Sequence, residues 1–159
     1  MVVALFVPAV KEEGPMSVRE ILKAKGAGVE TIEGNATVLD AVERLRDETI
    51  GALVVSPDGK TVDGVFSERD VVKGLADHRE SLLGMKVRDL MTTSVRTCSP
   101  DDGVEKVMLE MTELRARHFP VLDGERLVGI VTIGDVVKNR LDEVELEKNV
   151  LRDSYIAGR

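Results

Sequence analysis

Apolar residues recur along this chain in two registers, one following the other. Val38, Ala41, Val42 and Leu45 fall on one helical face, and Val104, Val107, Met108 and Met111 repeat that face 66 residues later. Thr37 with Asp40 forms a candidate N-cap for the first helix, and Pro100-Asp101-Asp102 suits the start of the second. Shorter patterns are doubled as well. Residues 18–22 and 87–91 read as helical turns with an apolar side, 69 residues apart, and residues 28–32 and 94–98 read as extended pieces. Two apolar runs turn at Asp-Gly, at Asp58-Gly59 and at Asp123-Gly124, which is a strong hairpin signal. Pro120 within the second hairpin predicts an edge strand or an open place in the ladder.

Each hairpin runs into a helix by the same construction. Gly64-Val65-Phe66-Ser67-Glu68-Arg69-Asp70 and Gly129-Ile130-Val131-Thr132-Ile133-Gly134-Asp135 place a hydroxyl and a carboxylate three apart at a strand-to-helix junction, at an offset of 65. The first of these helices is expected over about residues 70–76. The second is expected to reach about Tyr155, with Val137, Leu141, Val144, Leu151 and Tyr155 on one side. Each half is therefore turn–strand–helix–strand–strand–helix. Two halves of about 60 residues do not easily close a full core each, which predicts sheet-to-sheet packing about an approximate twofold axis. Residues 1–15 carry Pro8, Gly14, Pro15 and a charged Lys11-Glu12-Glu13, and the pattern begins only at Met16. They read as a loosely ordered upstream extension or expression remnant.

Composition narrows the function classes. Hydrophobic residues make up 43% and charged residues 32%, as in soluble globular proteins, and with 3% aromatics and no Trp the core is aliphatic. Against 29 acidic residues stand 22 Lys and Arg, a net charge of −7 that argues against nucleic acid and anionic membranes as partners. One cysteine, Cys98, and two histidines, His78 and His118, supply neither a disulfide framework nor a metal site. Cys98 reads as a small core residue and His78 as part of an exposed charged linker. No apolar run approaches the roughly 20 residues of a membrane span, and no secretory signal precedes the pattern, so a cytoplasmic location is expected. No nucleophile elbow, Walker loop or dinucleotide fingerprint is present, so catalytic residues are expected to be none.

The order and motifs resemble the CBS (cystathionine-β-synthase) domain, arranged as a tandem pair of the stand-alone bacterial type, a Bateman module. The resemblance rests on residues 18–22, 50–55 and 64–70 in the first half and 87–91, 117–122 and 129–135 in the second. It implies an α+β (α/β) fold of two β-α-β-β-α repeats, residues 16–80 and 81–141, with a helical tail over 142–159. It also implies adenosine nucleotides bound in clefts between the repeats, and association into homodimers. AMP comes first, with ATP, ADP, NAD(H) and S-adenosylmethionine behind it and no metal required.

The residues support that reading on chemical grounds. One carboxylate accepts from both ribose hydroxyls, and helix N-terminal N–H groups hold phosphate oxygens. By resemblance Asp70 and Asp135 take ribose, while Ser67 and Thr132 take phosphate or sugar; a capping box in each place is the compatible plain reading. Thr31 and Thr97, with Phe119 and Pro120, are candidates for an adenine slot. Arg69, Arg117 and His118 are candidates for phosphate; the alternative for the Arg115–His118 cluster is a solvated helix end. The first half has no charge at the place of Arg117 and His118, and Ile133-Gly134 stands where Glu68-Arg69 stands. Two unequal clefts are therefore expected, the one drawing on Arg117 and His118 favouring phosphate. The expected role is a sensor that signals to a regulated protein by population shift. A ligand-independent scaffold and a regulator of thiol-redox proteins are the alternatives.

Overall fold

The structure, a computed structural model, describes residues 16–158. The segment 1–15, and with it the expectation of an upstream extension, lies outside the described residues.

The chain runs through α1 (Val18–Lys25), β1 (Thr31–Ile32), α2 (Val38–Asp47), β2 (Ala52–Val55), β3 (Gly64–Ser67), α3 (Glu68–His78), a 3-10 turn (Arg79–Gly84), α4 (Val87–Leu90), α5 (Val104–Leu114), β4 (His118–Asp123), β5 (Arg126–Thr132) and α6 (Ile133–Ala157). Parallel β1 and antiparallel β3 flank β2, and β4 pairs antiparallel with β5. Gly59 and Gly124 take φ of +72° and +64° at the two Asp-Gly turns, a region open to glycine at no steric cost. Asp58 closes the first turn by accepting from the Lys60 and Thr61 N–H groups, which hold its carboxyl down at about 2.

Three expectations are corrected. The extended piece at 94–98 is no strand; it pairs only through a single bridge between Cys98 and Val121. Pro120 supplies the reason. In the first half the Val54 N–H donates to the Glu30 carbonyl (3.1 Å) and extends β1, whereas Pro120 stands at the equivalent place and has no N–H to give. The helix after the first junction is longer than expected, and the charged stretch after it is helical rather than an open linker, with His78 the last residue of α3.

The core agrees with the expectation that neither half closes one alone. Two separate aliphatic clusters form, and each is completed by a helix from the other half. Val18, Ile21 and Leu22 of α1 pack with Val104, Val107, Met111, Phe119, Val121, Val131 and Val136. Val87 of α4, with Leu90 and Met91, packs with Ile32, Val38, Ala41, Leu45, Leu53, Val55 and Phe66. Matching hydrogen bonds fix the exchange. Val18 N–H donates to Asp102 O (2.9 Å) and Arg19 N–H to Pro100 O (2.8 Å), while Val87 N–H donates to Ala36 O (2.9 Å) and Arg88 N–H to Gly34 O (3.0 Å).

Two glycines at equivalent positions admit the exchanged segments. A methyl at Gly129 would stand 2.6 Å from Leu22 Cδ2, and one at Gly64 would stand 2.8 Å from both Met91 Sδ and the Thr92 carbonyl oxygen. The second approach is a backbone bridge, in which Val65 N–H donates to Thr92 O (3.0 Å) and Thr92 N–H to Val65 O (2.9 Å). Docking Thr92 on β3 carries the following residues, 93–96, along one side of a cleft.

Candidate nucleotide cleft

A cleft of about 390 Å³ opens between the start of α3, the 92–96 segment and the turn from α5 into β4. Its size suits a small-molecule ligand. Ser67, at the end of β3, is the N-cap of α3. Its N–H and Oγ both donate to Asp70 Oδ2, at 2.8 and 2.9 Å. The capping box is thus real, and it uses only one carboxylate oxygen. Asp70 Oδ1 has a single long contact, 3.5 Å from Thr92 Oγ1. The first-turn N–H groups of α3 have no intrahelical partner; that of Glu68 donates to Gly51 O (3.0 Å).

Charge concentrates here. Arg69, Lys73, Arg96, Arg115 and Arg117 line the cleft against Glu68 and Asp70, in a chain whose net charge is −7. Arg69 bridges to the other half through the Arg115 carbonyl (3.1 Å), and Arg96 is paired with Glu110 (2.8 Å). Arg115 ends α5 in the left-handed conformation, φ 51°, which turns the chain back so that Arg117 and His118 enter β4 at the cleft wall. His118 is largely buried, and desolvation lowers its pKa; Arg117 and Lys25 act in the same direction, against Glu68 and Asp135. Gly51 gives the imidazole room, since a methyl there would lie 3.2 Å from His118 Nε2.

Of the residues expected at a ligand site, Ser67, Arg69, Asp70, Arg117 and His118 come together in this one cleft. The basic cluster therefore joins Asp70 across the two halves. Thr132 and Asp135 form a second, equivalent junction. Thr132 N–H donates to Asp135 Oδ2 (2.9 Å) and Asp135 N–H to Thr132 Oγ1 (3.2 Å). Here a cation is already in place. Lys25 Nζ lies 2.6 Å from Asp135 Oδ2 and donates to Ile130 O at 2.9 Å. Burial raises the Asp135 pKa, but the Lys25 and Thr132 hydrogen bonds outweigh it and the net shift is downward. At the 69-residue offset the counterpart of Lys25 is Ser94, a small residue lining the open cleft.

The remaining candidates sit elsewhere. Phe119 is wholly buried in the second core and Ile133 packs on that core's edge. Pro120 is buried and Thr97 half-buried, and neither is among the residues of the open cleft. Thr31 lines a different, broader depression of about 1130 Å³ on the first half. Its walls carry Glu33, Asp40, Glu43, Asp47, Glu48 and Asp58 against Arg44, the wrong sign for phosphate. Thr92, Ser94, Lys73 and Arg96 line the open cleft without having been singled out in the sequence. Lys73 was legible, three residues from Asp70 on a helix. Cys98 is buried in the second core, its thiol pushed up to about 12 by desolvation.

Comparison with known proteins gives the arrangement a context. The CBS domain profile matches residues 16–77 and 87–142. The CBS domain-containing protein CBSX3, mitochondrial, of Arabidopsis thaliana is 32% identical over 150 residues, covering 89% of this chain and 72% of its own. The crystal structure of the CBS-domain containing protein ATU1752 from Agrobacterium tumefaciens superposes with a TM-score of 0.76 at 38% identity, covering 79% of this chain and 99% of that one. The CBS domain pair of protein MJ0100, crystallised with 5'-methylthioadenosine and S-adenosyl-L-methionine, shares the fold at a TM-score of 0.72 and 24% identity, covering 82% of this chain and 99% of that one.

Proposed function

The chain belongs to the CBS domain family, and from that premise we propose that it is a regulatory module, not an enzyme, that binds an adenosine nucleotide in the cleft at Asp70. The observation that carries this reading is the pairing of a half-free carboxylate with a ring of cations gathered from both halves. Asp70 Oδ1 accepts from the ribose hydroxyls. The Arg69 N–H at the start of α3, with Arg117, Arg115 and Lys73, holds the phosphate. The ligand thereby bridges the two halves and favours one relative packing of them, which a regulated protein reads.

The charge balance also ranks the ligands. The MJ0100 pair is crystallised with S-adenosyl-L-methionine, whose sulfonium is cationic. Five basic side chains against two carboxylates disfavour such a group here and favour a phosphate. AMP is therefore first. ADP, ATP and NAD(H) carry the same adenosine half with more phosphate, and the basic side chains take the place of a metal. The module works in the cytoplasm as a homodimer.

Calorimetry of the full chain with AMP, ADP, ATP, NAD and S-adenosylmethionine, in EDTA, tests the reading. Saturable AMP binding is expected. Asp70→Ala should weaken it about ten- to a hundredfold, the range for a lost hydrogen bond to a charged group. Arg117→Ala should weaken AMP more than adenosine. Tighter binding of S-adenosylmethionine than of AMP would overturn the phosphate assignment, and no binding of any of the five would leave the ligand-independent scaffold as the better account.

A further inference from the structure

Helix α6 is 25 residues long and outlasts the repeat that it closes. The family profile ends at residue 142. Up to that point the helix is held on the body: Val136 is fully buried and Ile133 packs on the second core. From Val144 to Ala157 every residue is exposed, a projection of about 21 Å at 1.5 Å per residue. The apolar residues there are not scattered. Val137, Leu141, Val144, Leu151 and Tyr155, exposed by 42% to 71%, follow alternating steps of four and three, with Lys148 completing the series. That is a heptad seam, with Val137, Val144 and Leu151 at d and Leu141, Lys148 and Tyr155 at a. One residue step turns a helix by about 100°, so this seam lies well round from the Val136 line that touches the body. Leu146, Val150 and Ile156 are also exposed but lie outside the seam, and Ile156 does not continue the four-residue step from Leu146 to Val150.

The flanking charges discriminate between partners. Position g holds Arg140 and Glu147, and position e holds Glu145 and Arg152. In a parallel pair each g residue meets the e residue five places on in the other helix. Arg140 then meets Glu145 and Glu147 meets Arg152, so every such contact is attractive. Arg140 already pairs with Glu143 of its own helix (2.9 Å), and its five donors serve both carboxylates. In an antiparallel pair overlapping the whole seam, Glu147 meets Glu147, Glu145 meets Glu145 and Lys138 meets Arg152, all repulsive. Shifting the antiparallel register by one heptad relieves this at a loss of seam: one shift leaves Leu151 and Tyr155 uncovered, and the other, which sets Glu145 beside Arg152, leaves Val137 and Leu141 uncovered and places Lys148 against Leu151.

We propose that the projecting half of α6 is a docking surface for the same helix of a second copy of this chain, joined as a parallel, in-register two-stranded coiled coil. Lys148 at a costs stability and fixes the register, since any other alignment sets it against an apolar seam residue.

The test uses the full chain with Leu151→Cys, the native Cys98 being buried. Two d residues face each other across a parallel seam, so Leu151→Cys should form an interchain disulfide at least several-fold more readily than Leu146→Cys on the outer face. Glu147→Arg or Arg152→Glu added singly should lower the yield several-fold, and the two together should restore it. Equal yields for the two cysteines would overturn the proposal. So would cross-linking only when Leu141→Cys and Leu151→Cys chains are mixed, which is the antiparallel result, or a double charge reversal that fails to restore the yield.

Discussion

Asp70 and Asp135 occupy equivalent places, each accepting from the N–H of its N-cap, yet they are differently loaded. Asp135 is ion-paired with Lys25 through the oxygen that also accepts from Thr132, while Asp70 has no cation paired with it among the described residues and keeps Oδ1 beside Ser94. Only one ligand per chain is therefore expected, with Asp135→Ala leaving affinity close to wild type. Lys25→Ala should expose Asp135 and add a second, weaker site at little cost in stability, because a partly exposed ion pair contributes about 0–1 kcal/mol. Calorimetric stoichiometry checks this; two sites in the wild type, one of them lost in Asp135→Ala, would refute it. His118 makes a pH prediction. Burial holds its folded pKa below the usual value near 6.5. The unfolded chain therefore takes up the proton first as pH falls below about 6.5, and stability should decline from there until the folded histidine also titrates. Urea midpoints between pH 7.5 and 5 should fall more steeply for wild type than for His118→Asn. The caps at Ser67 and Thr132 were readable from three-residue spacings. Lys25 was not, because it is 110 residues from Asp135 along the chain and nothing local marks it.

Among the elements, helical periodicity and Asp-Gly turns were enough to place α2, α5 and both hairpins. The difference between a strand and a bridge depended on one missing donor, at Pro120. The glycines of the two strand-to-helix motifs had a role the sequence did not disclose, since only the fold shows what approaches them. They also predict different responses to a methyl group. At Gly129 the obstacle is the end of the Leu22 side chain; at Gly64 it includes the Thr92 carbonyl, which the β3 bridge holds in place. Gly64→Ala should cost about 1–3 kcal/mol, the usual range for overpacking, and Met91→Ala should not rescue it. Gly129→Ala should couple favourably to Leu22→Ala, the double variant losing less stability than the sum of the singles. Urea denaturation of the four single and two double variants measures both, and equal coupling in the two pairs would contradict the asymmetry.

Over the whole molecule, the exchange of α1 and α4 separates the sequence repeat from the cooperative unit. A short apolar turn before each repeat fits either core equally well on pattern alone, so the duplication was legible and the exchange was not. Yet the consequence for folding is unequal. The cluster around Phe66 draws all its residues from Ile32 to Met91, an unbroken stretch, whereas the cluster around Phe119 needs α1 from the far end of the chain. A fragment of residues 28–93 contains one entire core, including Leu82, Val87 and Met91. The repeat as the sequence divides it, residues 16–80, carries α1 with no core to enter and lacks the helix that closes its own. The 28–93 fragment should therefore unfold cooperatively in urea, with the modest stability of a domain of this size. The 16–80 fragment should lack a cooperative transition, because it loses the burial of Val87, at about 1.5–3 kcal/mol for one such side chain, together with Leu82, Leu90 and Met91. Circular dichroism of the two fragments decides the matter: equal cooperativity would mean that the exchanged helices decorate the cores rather than complete them.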